Sequence, residues 1–266
     1  MYQFNYHKPG SIEEATQLYN KSEDAMFLAG CQTLIPTLKQ RLAAPADVID
    51  LSAIPELTGI SVSDDLVSIG AFTRHAAVAD SAEIQRTLPV LSALAGLIGD
   101  AQVRNRGTLG GSVANSDPAA DYPAAVIALG ATVQTSSRSI NAEDYFQDLF
   151  ETALQPGELL TRIDFPVPTR AAYRKFPNPA SRYATVGVLV ADFAGDIRVG
   201  VTGAGPCAFR ATALEHALNA DLSVAAVEAV EVPDAGFNSD LHASAEYRAN
   251  LVKVMAKRAV ADLLAL

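Results

Sequence analysis

Apolar and polar positions along this chain follow two periods, and the change from one to the other marks out its elements. Ser11-Ile-Glu-Glu14 has the form of a capping box, with Ile12, Ala15, Leu18 and Tyr19 on one helical face. The short apolar run Ala25–Leu28 predicts a buried strand that ends in a glycine-containing loop. Leu34–Leu42 predicts a helix. Pro36 fits only its first turn, so the helix begins near Thr33 to Ile35. Val48–Leu51 predicts a second strand, and this strand–loop–helix–strand order suits a small parallel α/β unit. Leu66–Phe72 predicts a third strand, and helices are expected over Ala76–Gln85 and Pro89–Ile98. A glycine-rich stretch follows. Then Asp121 reads as an N-cap, with Pro123 in the first turn and Gly130 as the stop. Ala131–Thr135 and Leu159–Phe165 predict strands, with a capped helix over Asn141–Phe150 between them.

Phe165-Pro-Val-Pro-Thr169 is the best boundary, since alternating prolines favour extended chain. The expected division is 1–167, in two lobes of about 1–53 and 54–167, and 168–266. Beyond the boundary, Ala172–Phe176, Thr185–Phe193 and Ile197–Thr202 predict a strand meander. Tyr247, Leu251, Val254, Met255, Arg258, Val260 and Leu263 recur near a 3.6-residue period and predict a C-terminal amphipathic helix.

Composition narrows the function classes. A net charge of −10 over 266 residues argues against nucleic acid and against anionic lipid. Cys31 and Cys207 belong to no CxxC pair, which argues against an iron–sulfur cluster or structural zinc within this chain. The start, MYQFNYHKPG, lacks the apolar core of a signal peptide, and no run approaches the roughly 18 apolar residues of a membrane span. A cytoplasmic protein with reduced thiols is expected.

The chemistry concentrates in two glycine segments. In LAGCQTLIP, backbone donors of Gly30, Cys31, Gln32 and Thr33 follow a strand and precede a helix, the setting in which main-chain N–H groups face a phosphate. In QVRNRGTLGGSVANSDPAAD, Gly107, Gly110 and Gly111 sit among Thr108, Ser112, Asn115 and Asp117, a composition suited to an anion nest. Two such segments suggest one ligand with two linked phosphates. Arg104 and Arg106 could meet phosphate or a partner protein. A third run, Gly203-Ala-Gly-Pro-Cys-Ala208, matches G-x-G-x-x-A after a strand, but Pro206 removes an N–H and no strand-borne acid follows at the required distance; it is read as a strand-to-helix turn. The four histidines are scattered, and neither HExxH nor GxSxG occurs. Tyr173, Arg174, Lys175 and Arg182 are the notable polar residues of the second part, Lys175 as a possible counter-charge for an anionic ligand.

These segments carry a resemblance. AGCQTLIPTLKQRLAAPADVIDL resembles the AGG-[QH]-[ST]-L-[LI]-P-x-[LM]-K motif of FAD-binding medium subunits of the molybdenum hydroxylase (xanthine dehydrogenase / carbon monoxide dehydrogenase) family. QVRNRGTLGGSVANSDPAADYPAA resembles that family's second signature, Q-[VI]-R-N-x-[GA]-T-[IL]-G-G-[SN]. LLTRIDFP, YRKFPNPASRYATVGV and VTGAGPCAFRA also look like family landmarks, so the resemblance spans nearly the whole chain. It implies an α+β fold: a vanillyl-alcohol-oxidase-like (PCMH-type) two-lobed FAD-binding domain, then a small domain of antiparallel sheet plus helices. It implies FAD in this chain, its pyrophosphate between the two loops. By motif position the cofactor contacts are Ala29, Gly30, Cys31, Gln32 and Thr33 in the first, and Thr108, Gly110, Gly111, Ser112 and Asn115 in the second. Asp121 is placed on sugar or ribityl hydroxyls, and Ile98, Leu160 and Lys175 flank the cofactor. No acid–base catalyst and no metal ligand is implied.

The resemblance further implies a large molybdenum-cofactor subunit and a small subunit with two [2Fe–2S] clusters, in a dimer of heterotrimers. Electrons would reach this FAD from the clusters and leave to an external acceptor. Two other readings differ in class: a stand-alone FAD oxidase, and a non-catalytic nucleotide-binding or assembly subunit. One departure stands out. The second glycine of the AGG motif is Cys31, which carries strain if the position needs φ > 0. Bulky residues at Gly110 or Gly111 are expected to remove flavin and leave the fold intact.

Overall fold

A computed structural model describes all residues, 1–266. The chain begins with β1 (Asn5–His7), α1 (Ile12–Lys21), β2 (Ala25–Leu28), α2 (Leu34–Lys39) and β3 (Asp47–Asp50). The strands form a parallel sheet in the order β1-β3-β2. Ser11 caps α1 by accepting from Glu14 N, while the Glu14 carboxylate takes Gly10 N–H, so the capping box closes one residue further back than its usual form. The α2 helix ends at Lys39, three residues before the periodicity suggested. Gln40 N–H turns back to Pro36 O, and Arg41 adopts φ 62°.

The middle of the chain holds β4 (Ile60–Val62), β5 (Leu66–Gly70), α3 (His75–Asp80), α4 (Ala82–Thr87), α5 (Pro89–Gly96), α6 (Ala101–Arg104), α7 (Leu109–Asn115) and α8 (Tyr122–Ala128). Then come β6 (Thr132–Thr135), β7 (Ser139–Asn141), α9 (Ala142–Tyr145), β8 (Phe146–Asp148), β9 (Glu151–Thr152) and β10 (Leu160–Pro166). Five strands form an antiparallel sheet, β4-β5-β10-β6-β7. The helix expected over 141–150 is one turn only. Asn141 makes no side-chain cap, and the chain passes into the β8–β9 hairpin, with Phe150 at φ 55° in its turn. The helix expected over 76–85 breaks at Ser81, whose hydroxyl accepts Ile84 N–H and starts α4.

The final part contains β11 (Arg170–Pro177), β12 (Ala184–Phe193), β13 (Asp196–Thr202), β14 (Phe209–Arg210), α10 (Thr212–Ala220), α11 (Val224–Ala229) and α12 (Ala245–Ala265). Its sheet runs β11-β12-β13-β14, antiparallel throughout. The turn after β13 leads first into β14 and only then into α10, with Gly203 at φ 86°.

The β12 strand is buried on both faces. Val186, Val188 and Val190 pack with Leu251, Met255 and Val260 of α12, while Leu189 and Ala191 join the core around α8. All seven residues of α8 are buried. The helix fits tightly against β13 because Gly200 lacks a side chain; a Cβ there would meet Ala124 O and lie 2.9 Å from Ala128 N. One 32-residue core therefore runs from the five-stranded sheet through α8 into the C-terminal sheet. The periodicity missed a buried cation on α12. Arg248 donates to Thr185 O at 2.8 Å, Gly203 O at 2.7 Å and the Asp240 carboxylate at 2.8 Å, tying the helix to the ends of β12 and β13.

Candidate functional site

The two glycine segments meet at one point. A Cβ on Gly30 would lie 2.6 Å from Gly107 Cα and 2.9 Å from Thr108 N, against backbone that cannot yield. Glycine at 30 is thus required for the first loop to touch the second. The pair closes one wall of a cavity of about 780 Å³, in the size range of cofactor sites.

The loops differ in what they offer. The N–H groups of Gly30, Cys31, Gln32 and Thr33 donate to no acceptor in the protein. They are four consecutive free donors on the cavity wall, ahead of α2. The second segment is a helix, not an open nest. Thr108 caps α7 by accepting Gly111 N–H at 3.2 Å, Leu109 N–H goes to Thr73 O, Gly110 N–H to Ala71 O at 2.8 Å and Ser112 N–H to Thr108 O. Its main-chain donors therefore hold the fold, and what it offers the cavity is side chains: the Thr108 and Ser112 hydroxyls, the Asn115 amide and, after the helix, the Asp117 and Asp121 carboxyls. The glycines split in the same way. A Cβ on Gly110 would lie 2.5 Å from Ala71 Cβ and 2.8 Å from Ala71 Cα, so this glycine serves helix-to-sheet packing. A Cβ on Gly111 would lie 2.7 Å from the Thr108 hydroxyl and 3.5 Å from Ala29 Cβ, in the gap between the loops.

Cys31 sits at φ 68°, in the left-handed region. The position needs φ > 0, so a residue with a Cβ is strained here. Its thiol donates to Ala29 O at 3.4 Å, and Arg106 Nη2 lies 3.9 Å from the sulfur. Replacing Cys31 by glycine is expected to raise stability by up to about 1 kcal/mol, the relieved strain being partly offset by a freer unfolded chain. Urea midpoints of the two proteins check this, and a clearly destabilised variant would mean that the thiol contacts outweigh the strain.

Ala29, Gly30, Cys31, Gln32, Thr33, Ile98, Thr108, Gly110, Gly111, Ser112, Asn115, Asp121 and Leu160 all line this cavity; Lys175 does not. Lys175 stands behind Asp121, donating to the carboxylate at 2.9 and 3.1 Å, to Leu97 O at 2.9 Å and to Arg182 O at 2.9 Å. Asp121 does not cap α8 with its side chain. Its Oδ1 accepts from the Tyr173 hydroxyl at 2.6 Å and its Oδ2 from Lys175. Burial pushes the Asp121 carboxyl up, against Lys175 and Tyr173 holding it down, and burial beside Asp121 drives the Tyr173 hydroxyl well up.

Periodicity and motifs did not point to the rest of the wall. His75 is buried there, its backbone N–H on Gly107 O and its Nδ1 without a partner. Burial, aided by Arg104, lowers it to about 4, so the imidazole is neutral near pH 7. The aromatic rings Phe27, Phe72, Phe150 and Tyr183 also face the cavity. Glu158 lies at its edge, held down to about 2 chiefly by its hydrogen bond with Arg138. Four free donors together with aromatic and aliphatic lining suit a dinucleotide with a large planar ring, so the residues present fit FAD.

Residues 2–168 match the family described as the FAD binding domain in molybdopterin dehydrogenase, and residues 171–263 match the CO dehydrogenase flavoprotein C-terminal domain. The chain is an FAD-binding medium subunit of the molybdenum hydroxylase family. Among relatives of this medium subunit, the nicotine 6-hydroxylase medium subunit of Paenarthrobacter nicotinovorans is 35% identical over 271 residues, covering 97% of this chain and 96% of that protein. The carbon monoxide dehydrogenase medium chain of Afipia carboxidovorans is 36% identical over 286 residues, covering 97% and 95%. In structure, the medium subunit superposes on a chain of Cu,Mo-CO dehydrogenase with a TM-score of 0.88 at 36% identity, over 100% of this chain and 99% of that one. It superposes on a chain of quinoline 2-oxidoreductase from Pseudomonas putida 86 with a TM-score of 0.89 at 29% identity, over 98% and 96%. These matches bear out the expected family, the α+β two-part fold and the oxidoreductase class.

Proposed function

We propose that this medium subunit carries FAD as an electron relay in a heterotrimeric molybdenum hydroxylase, taking electrons from [2Fe–2S] clusters of a small subunit and passing them to an external acceptor. Substrate would be oxidised at the molybdenum cofactor of a large subunit, in a dimer of heterotrimers in the cytoplasm. The observation that carries the reading is the run of four unengaged N–H groups from Gly30 to Thr33 on the wall of a cavity of cofactor size. The names of the relatives, a hydroxylase medium subunit and a dehydrogenase medium chain, support the subunit part of this reading. No helix is long and apolar enough to cross a membrane.

In this reading Gly30, Cys31, Gln32 and Thr33 hold the pyrophosphate through backbone donors, with the hydroxyls of Thr108 and Ser112 beside them. Asn115 meets polar edges of the cofactor. Ala29, Ile98 and Leu160 provide apolar wall. Asp121 meets sugar or ribityl hydroxyls from the cavity wall, its carboxylate held in position by bonds to Tyr173 and Lys175 that leave acceptor lone pairs unused. Bound FAD would supply the capacity to accept electrons in pairs and release them singly or in pairs; the chain supplies position and exclusion of water. A stand-alone oxidase would need a proton acceptor beside the ring, and neutral His75, lowered to about 4, is a weak base.

The purified chain is expected to bind FAD and show flavin absorbance; a colourless protein that ignores added FAD would overturn the reading. Gly111→Val is expected to lose flavin and keep its fold, because its side chain enters the gap between Thr108 and Ala29. Gly110→Val is expected to lose the fold itself, because it strikes Ala71 backbone. Circular dichroism and bound-flavin content separate the two, and full flavin retention in the Gly111 variant would count against the placement. Co-purification with iron, molybdenum and two further chains separates the relay from an oxidase acting alone.

A further inference from the structure

Beside the main cavity lies a second cleft of about 510 Å³, and its charge runs against that of the molecule. Arg104, Arg174, Lys175 and Arg182 line it, and no carboxylate does, in a chain of net charge −10. Two of these cations are neutralised from outside the cleft, Arg174 by Asp262 and Lys175 by Asp121. Arg104 and Arg182 take part in no ion pair. Both guanidinium groups converge on a single carbonyl. Arg104 Nη1 donates to Gly99 O at 3.3 Å and Ile98 O at 3.0 Å, and Arg182 Nη1 donates to the same Gly99 O at 3.2 Å. Each keeps its Nε and Nη2 donors free of protein acceptors.

The arrangement is held in place. Arg182 has φ 63°, a strained conformation for its residue type. Its carbonyl is pinned by Lys175, which is itself anchored on buried Asp121. Asn178 braces the same loop through its carboxamide, which accepts the N–H groups of Ala180 and Ser181. Two like charges fixed at one acceptor repel each other, and an oxyanion between them would relieve that repulsion while accepting charge-assisted bonds from both. Gly99 and Arg182 line both the cleft and the main cavity, so an anion here would sit at the cavity's edge.

We propose that Arg104 and Arg182 form a binding site for the phosphate or carboxylate group of a small anionic molecule that approaches the flavin cavity from outside. The anion site stands on the geometry of the two arginines; its connection to electron transfer rests on the FAD reading above.

The full chain, saturated with FAD, is titrated with inorganic phosphate, with acetate, and with sodium chloride at matched ionic strength. Thermal midpoint and the flavin absorption bands are followed. Phosphate or acetate is expected to raise the midpoint saturably, and chloride is not; which of the two binds more tightly decides between a phosphate-bearing and a carboxylate-bearing ligand. Arg182→Gln is expected to weaken the binding about tenfold, the loss of one charge-assisted contact. Arg182 is exposed, so the change removes little packing. Arg104→Lys, which keeps the charge and loses the fork, is expected to weaken it as well. No saturable response to either anion, or wild-type affinity in both variants, overturns the proposal. Flavin content of the same samples is read separately. A chain without flavin overturns the relay reading, while the contrast between wild type and variants still decides the anion site.

Discussion

Lys175→Met is expected to cost about 3–5 kcal/mol of folding stability, because it leaves a buried carboxylate without its cation. The Lys175 and Asp121 side chains are only 5% and 4% exposed, and Lys175 is bonded to Asp121, Leu97 O and Arg182 O. With the ammonium gone, Asp121 keeps only the Tyr173 hydroxyl. It must then take up a proton or hold an uncompensated charge in the interior. The pair also joins two parts of the chain, since Asp121 precedes α8 while Lys175 and Tyr173 lie on β11. Urea unfolding measures the loss. Adding Asp121→Asn to the variant is expected to return part of it, because the charge left stranded is removed; the double change should then cost less than the two single changes summed. A loss below about 1 kcal/mol in the single variant would show that the pair does not anchor the two parts of the chain.

Gly30→Val is expected to cost about 2–3 kcal/mol from overpacking and to abolish FAD binding. The first methyl-sized atom already lies 2.6 Å from Gly107 Cα and 2.9 Å from Thr108 N, and branching adds two more atoms. The loops must part, and the four free donors of Gly30 to Thr33 move away from Thr108 and Ser112. Gly96→Ala is the matched control, since a Cβ there meets nothing within 4 Å and the residue ends helix α5. It is expected to leave flavin binding unchanged and to be neutral or slightly stabilising. Isothermal titration with FAD and urea midpoints of both variants check the contrast. Flavin affinity in Gly30→Val equal to that of the control would mean that the loops do not need to touch.

Much of the fold was legible in short-range pattern. The parallel unit around β2, α2 and β3 followed from an apolar run, a proline-compatible helix start and a second apolar run. In the β11–β13 meander, β12 and β13 lie in runs rich in β-branched residues, whereas β11 contains none. Misreadings came where a local signal had a tertiary competitor. Asn141 looked like a cap, but the chain after Tyr145 joins the β8–β9 hairpin. Asp121 looked like a cap, but a tyrosine 52 residues away holds its carboxylate. Gly110 looked like an open phosphate loop, but it is spent on packing against Ala71.

The sequence by itself determined where the two glycine segments lie, which family they resemble, and that Cys31 departs from the glycine expected there. Backbone freedom, capping and strand or helix period act over a few neighbouring residues, so they are written locally. Only the tertiary structure decided that the first segment keeps its N–H groups free while the second spends its own on Ala71, Thr73 and Thr108. It alone decided that Cys31 sits at positive φ, that Lys175 braces Asp121 from behind, and that Arg104 and Arg182 converge on Gly99. Each of these depends on what a distant stretch places opposite a given atom, and hydrogen-bond competition and burial are settled only when those stretches meet.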